Sequence, residues 1–132
     1  MERIELRHLE IVDGKQSFEK MIVDGKDLLK EFVLSLEERY RTEMRTIYAW
    51  MQMVADLKPV PGTIYHPLSD GKDGIREYEF KSKHLRVYAL AKPDGKIVVM
   101  GGKKKTQRKD INRFRVIKKL FIKYLQENET DR

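Results

Sequence analysis

An α+β fold, with a twisted antiparallel sheet and helices set apart from it along the chain, is predicted by three observations on this 132-residue sequence. Apolar residues alternate with a period of two near the amino terminus and again over residues 75–100. They recur at three and four residues over 27–57 and 110–126. The tripeptide Asp-Gly-Lys, a favoured turn sequence, punctuates the chain at 13–15, 24–26, 70–72 and 94–96. With 40% hydrophobic residues, a chain of this length supports one core, so residues 1–132 are expected to form a single domain.

The elements follow in order. Ile4, Leu6, Leu9 and Ile11 can pair with residues 18–23 across Asp13-Gly14, which makes residues 1–26 a β-hairpin extension. Asp27 is placed to cap a helical segment at 27–57, in which Leu29, Phe32, Val33, Leu36, Tyr40, Met44, Ile47, Met51 and Val54 form one apolar stripe. This segment is either one long helix or a helical hairpin broken near residues 37–39. Lys58-Pro59-Val60-Pro61-Gly62 is a connector, because two prolines remove amide donors and disfavour helix. Residues 75–81, 84–91 and 97–100 read as three strands of an antiparallel meander. The last helix, 110–126, places Ile111, Phe114, Ile117, Leu120, Phe121 and Tyr124 toward the sheet, with Arg113, Arg115, Lys118, Lys119 and Lys123 on its other faces.

Charge is divided unevenly. The formal net charge is +7, but residues 1–66 carry 10 basic and 12 acidic side chains, whereas residues 67–132 carry 18 and 9. An anionic partner, nucleic acid rather than membrane, is therefore expected on one side of the molecule. No 18-residue apolar run is present, and Met1-Glu2-Arg3-Ile4-Glu5 lacks the basic start and apolar stretch of a secretory signal, so a cytoplasmic location is expected. The absence of cysteine excludes disulfides, thiolate catalysis and cysteine-ligated zinc. Neither a cofactor nor a structural metal is expected.

Five of the seven residues from 103 to 109 are basic: Lys103, Lys104, Lys105, Arg108 and Lys109. Cations clustered between rigid elements hold a polyanion in register, and these five, with Lys81, are the candidate nucleic-acid-binding residues. Alternation in the strand 84–91 sets Leu85, Val87 and Ala89 on one face and His84, Arg86 and Tyr88 on the other. That second face joins a titratable imidazole, a guanidinium fork and an aromatic ring. The neighbouring strand adds Glu77, Glu79 and Lys81 on one face. RNA is cut without metal when a base takes the 2′-hydroxyl proton, cations stabilise the developing phosphorane charge and an acid protonates the leaving oxygen. Glu77, Glu79 or His84 would serve as base, Arg86 and the lysines as charge stabilisers, and Tyr88 as a stacking platform. The same face would also serve as a salt-bridged sheet surface, with Glu77 or Glu79 paired to Arg86.

The ordered set Arg86-Val87-Tyr88, Asp94-Gly95-Lys96-Ile97-Val98-Val99-Met100 and Lys104-Lys105-Thr106-Gln107, followed by an amphipathic helix, resembles the RelE/HigB toxins of the RelE/ParE superfamily. The match covers about residues 75–125. It departs from the common pattern at Gly101-Gly102, where an aromatic residue usually precedes the lysines. The resemblance implies a small α+β fold whose sheet cradles mRNA, usually on the ribosome. It also implies a cognate antitoxin as protein partner, and together with the residue reading above it makes Glu77, His84, Arg86 and Tyr88 the catalytic candidates of a metal-independent endoribonuclease. Two alternatives are a non-catalytic nucleic-acid-binding module on the same scaffold and a ParE-like, gyrase-directed interaction protein.

Overall fold

Turn and cap chemistry organises the first elements. A computed structural model of the chain describes residues 3–130. Strand β1 (Ile4–His8) pairs antiparallel with β2 (Ser17–Val23), Leu6 opposite Met21. The Asp13-Gly14 pair lies in the long connection between them. Asp24-Gly25 makes the tight turn instead, with φ of 51° and 78°, a region that Asp tolerates and Gly enters freely. It returns the chain to β2 as the two-residue β3 (Lys26–Asp27). Asp27 then caps α1 (Leu28–Ser35), its carboxylate accepting the Lys30 N–H at 3.0 Å. Extended backbone at Leu36 and Glu37 separates α1 from α2 (Glu38–Ala55), so the helical segment is two helices.

Beyond the proline connector, a short strand β4 (Tyr65–Pro67) lies in a stretch to which the sequence pattern assigns no element. It pairs with β5 (Glu77–Lys81), which continues into the expected antiparallel meander with β6 (Leu85–Lys92) and β7 (Gly95–Lys103). The sheet is α+β in character, with seven strands in the order β1-β2-β7-β6-β5-β4 and β3 attached to β2. β2 and β7 run parallel, and the other neighbours antiparallel. After β7, a 3₁₀ turn at Lys104–Thr106 leads into α3 (Gln107–Thr130), which starts earlier and ends later than its apolar periodicity predicts. The basic run at 103–109 therefore spans the end of a strand, a 3₁₀ turn and the start of a helix.

Helices cover both faces of the sheet. On one, Phe18, Leu85, Val87, Ala89 and Val98 pack with Leu29, Met44, Ile47 and Met51 of α1 and α2. On the other, Tyr88, Leu90, Ile97 and Val99 pack with Phe114, Ile117 and Phe121 of α3. Strand β6 is consequently buried on both sides, and the polar face predicted at Arg86 and Tyr88 lies under α3.

A register shift between β6 and β7 decides which way the end of β7 points. Tyr88 is opposite Met100 and Ala89 is opposite Val98, so Val99 is an extra residue in β7. A one-residue insertion reverses every side chain that follows. Gly101 thus meets Phe32 of α1, Gly102 meets Asp110 of α3, and Lys103 turns toward α2. Without the bulge, Lys103 would point to the α3 side.

The parallel β2–β7 contact depends on Gly95. A methyl group there would sit 1.7 Å from the Ser17 carbonyl oxygen, and a backbone atom cannot rotate away. The Gly95→Ala variant is expected to lose about 1–3 kcal/mol or more of stability, typical of a forced overpacking, as measured by urea unfolding.

Candidate functional site

A cleft of about 350 Å³ lies where three elements converge, lined by Tyr40 of α2, His84 of the β5–β6 turn, Lys103 of β7, and Lys104 and Lys105 of the 3₁₀ turn. The turn that carries His84 is held from beneath. The Arg86 guanidinium donates through Nη1 to the Ser82 carbonyl at 2.7 Å and to the Leu85 carbonyl at 2.8 Å. The main chain ties the turn to the basic run as well, because the Lys104 N–H donates to the His84 carbonyl at 2.8 Å.

Glu43 of α2 holds the turn that carries His84. Its Oε1 accepts the Ser82 hydroxyl at 2.5 Å and the His84 N–H at 2.8 Å, and its Oε2 lies 2.7 Å from His84 Nδ1. Burial pushes the Glu43 carboxyl up, but the Ser82 and His84 hydrogen bonds outweigh it and hold the group below its ordinary value. An ionised carboxylate only accepts, so His84 Nδ1 carries a proton and Nε2 is the atom left to exchange one. Nε2 has no partner among the described residues. The imidazole packs at a tilt on Tyr40, ring centres 5.2 Å apart, and the Lys103 ammonium lies 5.0 Å from the centre of the Tyr40 ring.

The cationic surface continues past the cleft. Lys105, Thr106, Arg108, Lys109 and Asn112 line a second groove of about 490 Å³, and Lys105 borders both. Lys104, Lys105, Arg108 and Lys109 are exposed with no carboxylate partner among the described residues, whereas Lys103 approaches Glu37 at 4.0 Å. This charge sits at the amino-terminal end of a helix, where the aligned peptide dipoles add to the attraction for an anion. Asp110 receives the Thr106 hydroxyl at 2.6 Å and fixes the first turn.

The remaining predicted residues lie elsewhere. Cross-strand pairing does set Glu79 opposite Tyr88 and Lys81 opposite Arg86, but this face is enclosed by α3 and lines neither groove. Glu77 is 3% exposed, with the Arg115 guanidinium at 3.0 Å and the Lys118 ammonium at 3.1 Å, and Lys118 reaches Asp73 as well. Arg86 is therefore not the partner of Glu77, and Lys118, expected on a polar helix face, is buried. Glu79 is buried between His66 and Gln107, at 3.2 and 2.7 Å. Tyr88 is fully buried and stacked on Phe114. Burial, then the Glu79 and Asp110 carboxylates, push its hydroxyl well above the usual phenol range, against the smaller lowering effect of Arg86. Glu77, Arg86 and Tyr88 thus act within the fold and are closed to a polymer substrate, while His84 is open. Lys81 is half-buried on the α3 side.

Glu43 and Tyr40 are absent from the sequence-derived set. Their spacing of three residues put them on one helix side at the edge of the apolar stripe, the one signal available, but the contact that matters spans 41 residues to His84. No family model matches the chain, and no curated protein or solved structure compared with it matches either. Among the described residues, no helix is long and apolar enough to cross a membrane.

Removing the charge of Glu77 leaves the buried Lys118 ammonium with the half-exposed Asp73 carboxylate alone. Glu77→Gln is expected to cost about 3–5 kcal/mol in urea unfolding, typical of a broken buried pair, while leaving polyanion affinity unchanged. Glu43 predicts a pH effect. A lowered carboxyl contributes stability above its unfolded value and loses it as pH falls through the folded one. Glu43→Gln should therefore be less stable than wild type near neutrality, and the gap in thermal midpoint should close below about pH 4.

Proposed function

We propose that the protein is a RelE/HigB-like toxin that binds mRNA, on the ribosome, and cleaves it without a metal ion. The observation that carries this reading is the continuous cationic surface of Lys103, Lys104, Lys105, Arg108 and Lys109 beside the exposed His84 imidazole and the half-buried Tyr40 ring. It lies at the strand-to-helix junction where the resembling family has its Lys-Lys-Thr-Gln segment. The order of elements supports the reading too, with two helices ahead of the meander and an amphipathic helix after it. A phosphodiester backbone crossing both grooves would meet cations along its path, with a base free to stack near Tyr40 and His84. A cognate antitoxin is the expected protein partner.

The enclosure of Glu77, Arg86 and Tyr88 favours a second reading, a non-catalytic RNA-binding module on the same scaffold. Both readings require the grooves to bind RNA, and they differ in whether the RNA is cut.

Induced expression with bulk mRNA followed in the same culture separates them. Wild type is expected to arrest growth and cleave mRNA, and the variant with Lys103, Lys104 and Lys105 all changed to Ala should do neither while remaining folded. For the purified proteins, log affinity for single-stranded RNA should fall with log salt. The slope of the triple variant should be shallower by about 2, since each lost phosphate contact on a single strand accounts for about 0.7. Arrest by the triple variant equal to wild type would remove the grooves from the function.

A further inference from the structure

We propose that Glu43 and His84 form the proton-transfer centre of the cleft, with His84 Nε2 as the catalytic base on a ribose 2′-hydroxyl and Glu43 as its positioning residue. The assignment rests on the ribonuclease reading of the same cleft. It moves the chemistry from the strand face at Glu77, Arg86 and Tyr88 to the β5–β6 turn.

The geometry meets what a general base requires. The imidazole must reach the substrate, and the His84 side chain is 46% exposed at the cleft wall. Its orientation must be fixed, and Glu43 Oε2 at 2.7 Å holds Nδ1 while Glu43 Oε1 is held in turn by the Ser82 hydroxyl and the His84 N–H. Such a carboxylate–imidazole pair selects one tautomer and supports the imidazolium once it forms. Charge must be available for the reacting phosphate, and Lys103, Lys104 and Lys105 share the cleft with the ring. The groups facing the imidazole are Tyr40 and Glu43 from α2, Lys103 from β7, and Lys104 and Lys105 from the 3₁₀ turn. Glu43 is the sole carboxylate among them.

The reaction balances without any further reagent. His84 Nε2 takes the 2′-hydroxyl proton, and the 2′-oxygen electron pair forms a bond to the adjacent phosphorus. The bond from phosphorus to the 5′-oxygen breaks, its electron pair leaving with that oxygen. The 5′-oxygen then takes a proton from water, and the hydroxide so formed removes the proton held by His84. The products are a 2′,3′-cyclic phosphate and a 5′-hydroxyl end. The lysines stabilise the dianionic phosphorane charge between these two events.

The test uses a mixed-sequence single-stranded RNA, free and loaded on ribosomes, with wild type, His84→Asn, His84→Gln and Glu43→Gln. Binding is read by fluorescence anisotropy, folding by thermal unfolding, product ends by mass and the His84 ring nitrogens by ¹⁵N NMR. His84→Asn retains an amide N–H for Glu43, and His84→Gln provides a second route if that variant does not fold. Wild type is expected to leave cyclic phosphate ends and to show a protonated Nδ1 with a free Nε2 at high pH. Each His84 variant, compared with wild type at saturating protein so that any loss of affinity is removed, should cut the bound RNA at least ~10²-fold more slowly, the usual range for a lost general base. Glu43→Gln should lower kcat rather than raise KM and give a mixture of imidazole tautomers, a change that a purely structural role would not produce. Cleavage by folded His84→Asn or His84→Gln at the wild-type rate would overturn the assignment and leave the ribonuclease reading standing. RNA bound but uncut by wild type, free and on ribosomes, would overturn both and leave the binding module.

Discussion

Burial of β6 on both faces is the constraint on which the remaining structure depends. A strand with helices above and below has no side on which a polar residue can meet water, and any charge it brings must be satisfied from within. Arg86 places Nη1 of its guanidinium on the carbonyls of the turn at its own amino-terminal end, while its buried Nε has no hydrogen-bond partner among the described residues. Glu77 and Glu79, on the adjacent strand and the same face, require partners from the covering helix, and Arg115, Lys118 and Gln107 supply them. Part of the positive charge of α3 therefore serves the core. At the start of that helix Lys104, Lys105, Arg108 and Lys109 form a dense exposed cationic surface.

Helix energetics makes that collection informative. Cations near a helix amino terminus oppose the peptide dipoles at about 0.3–1 kcal/mol each, and carboxylates would be preferred there on stability alone. Asp110 is the one acidic residue in the first turn of α3, and the exposed Lys104, Lys105, Arg108 and Lys109 surround it. The cluster works against local stability and offers a strong, fixed attraction for phosphate. Lys103 belongs to the same surface only because Val99 is inserted in β7, which turns the strand end toward α2 and away from the α3 side. A ladder irregularity thus controls where a functional cation points.

The legible part of the fold was the part written in period and turn chemistry. The meander, the amino-terminal hairpin, the Asp27 cap and the apolar stripe of α3 all follow from spacing that local physics reads directly. Three-residue β4 carries too few positions to show alternation, and the break at Leu36-Glu37 has no Gly or Pro to mark it. For the site, the residue types were legible and the layer was not. Alternation correctly separated Arg86 and Tyr88 from Leu85, Val87 and Ala89, yet it is silent on whether the second face meets solvent or a helix. The apolar stripe of α3 held that answer, since two amphipathic helical segments on one sheet leave neither face bare. Glu43 was beyond reach because its role exists only once α2 and the β5–β6 turn are brought together.

Precision at His84 arises from three constraints that do not share a cause. Arg86 clamps the Ser82–Leu85 turn from the core side, the Lys104 amide fixes the His84 main chain to the start of the basic run, and Glu43 orients the ring from α2. A reacting group has to be held to within about half an ångström, which a flexible turn cannot do unaided. Arg86 is thereby drawn back into the site by another route, as support one layer beneath the imidazole and not as a cation on the phosphate. The sequence pattern set His84 on one strand face with Arg86 and Tyr88, whereas His84 precedes β6 and packs on α2, so its link to Arg86 is the backbone of the turn between them.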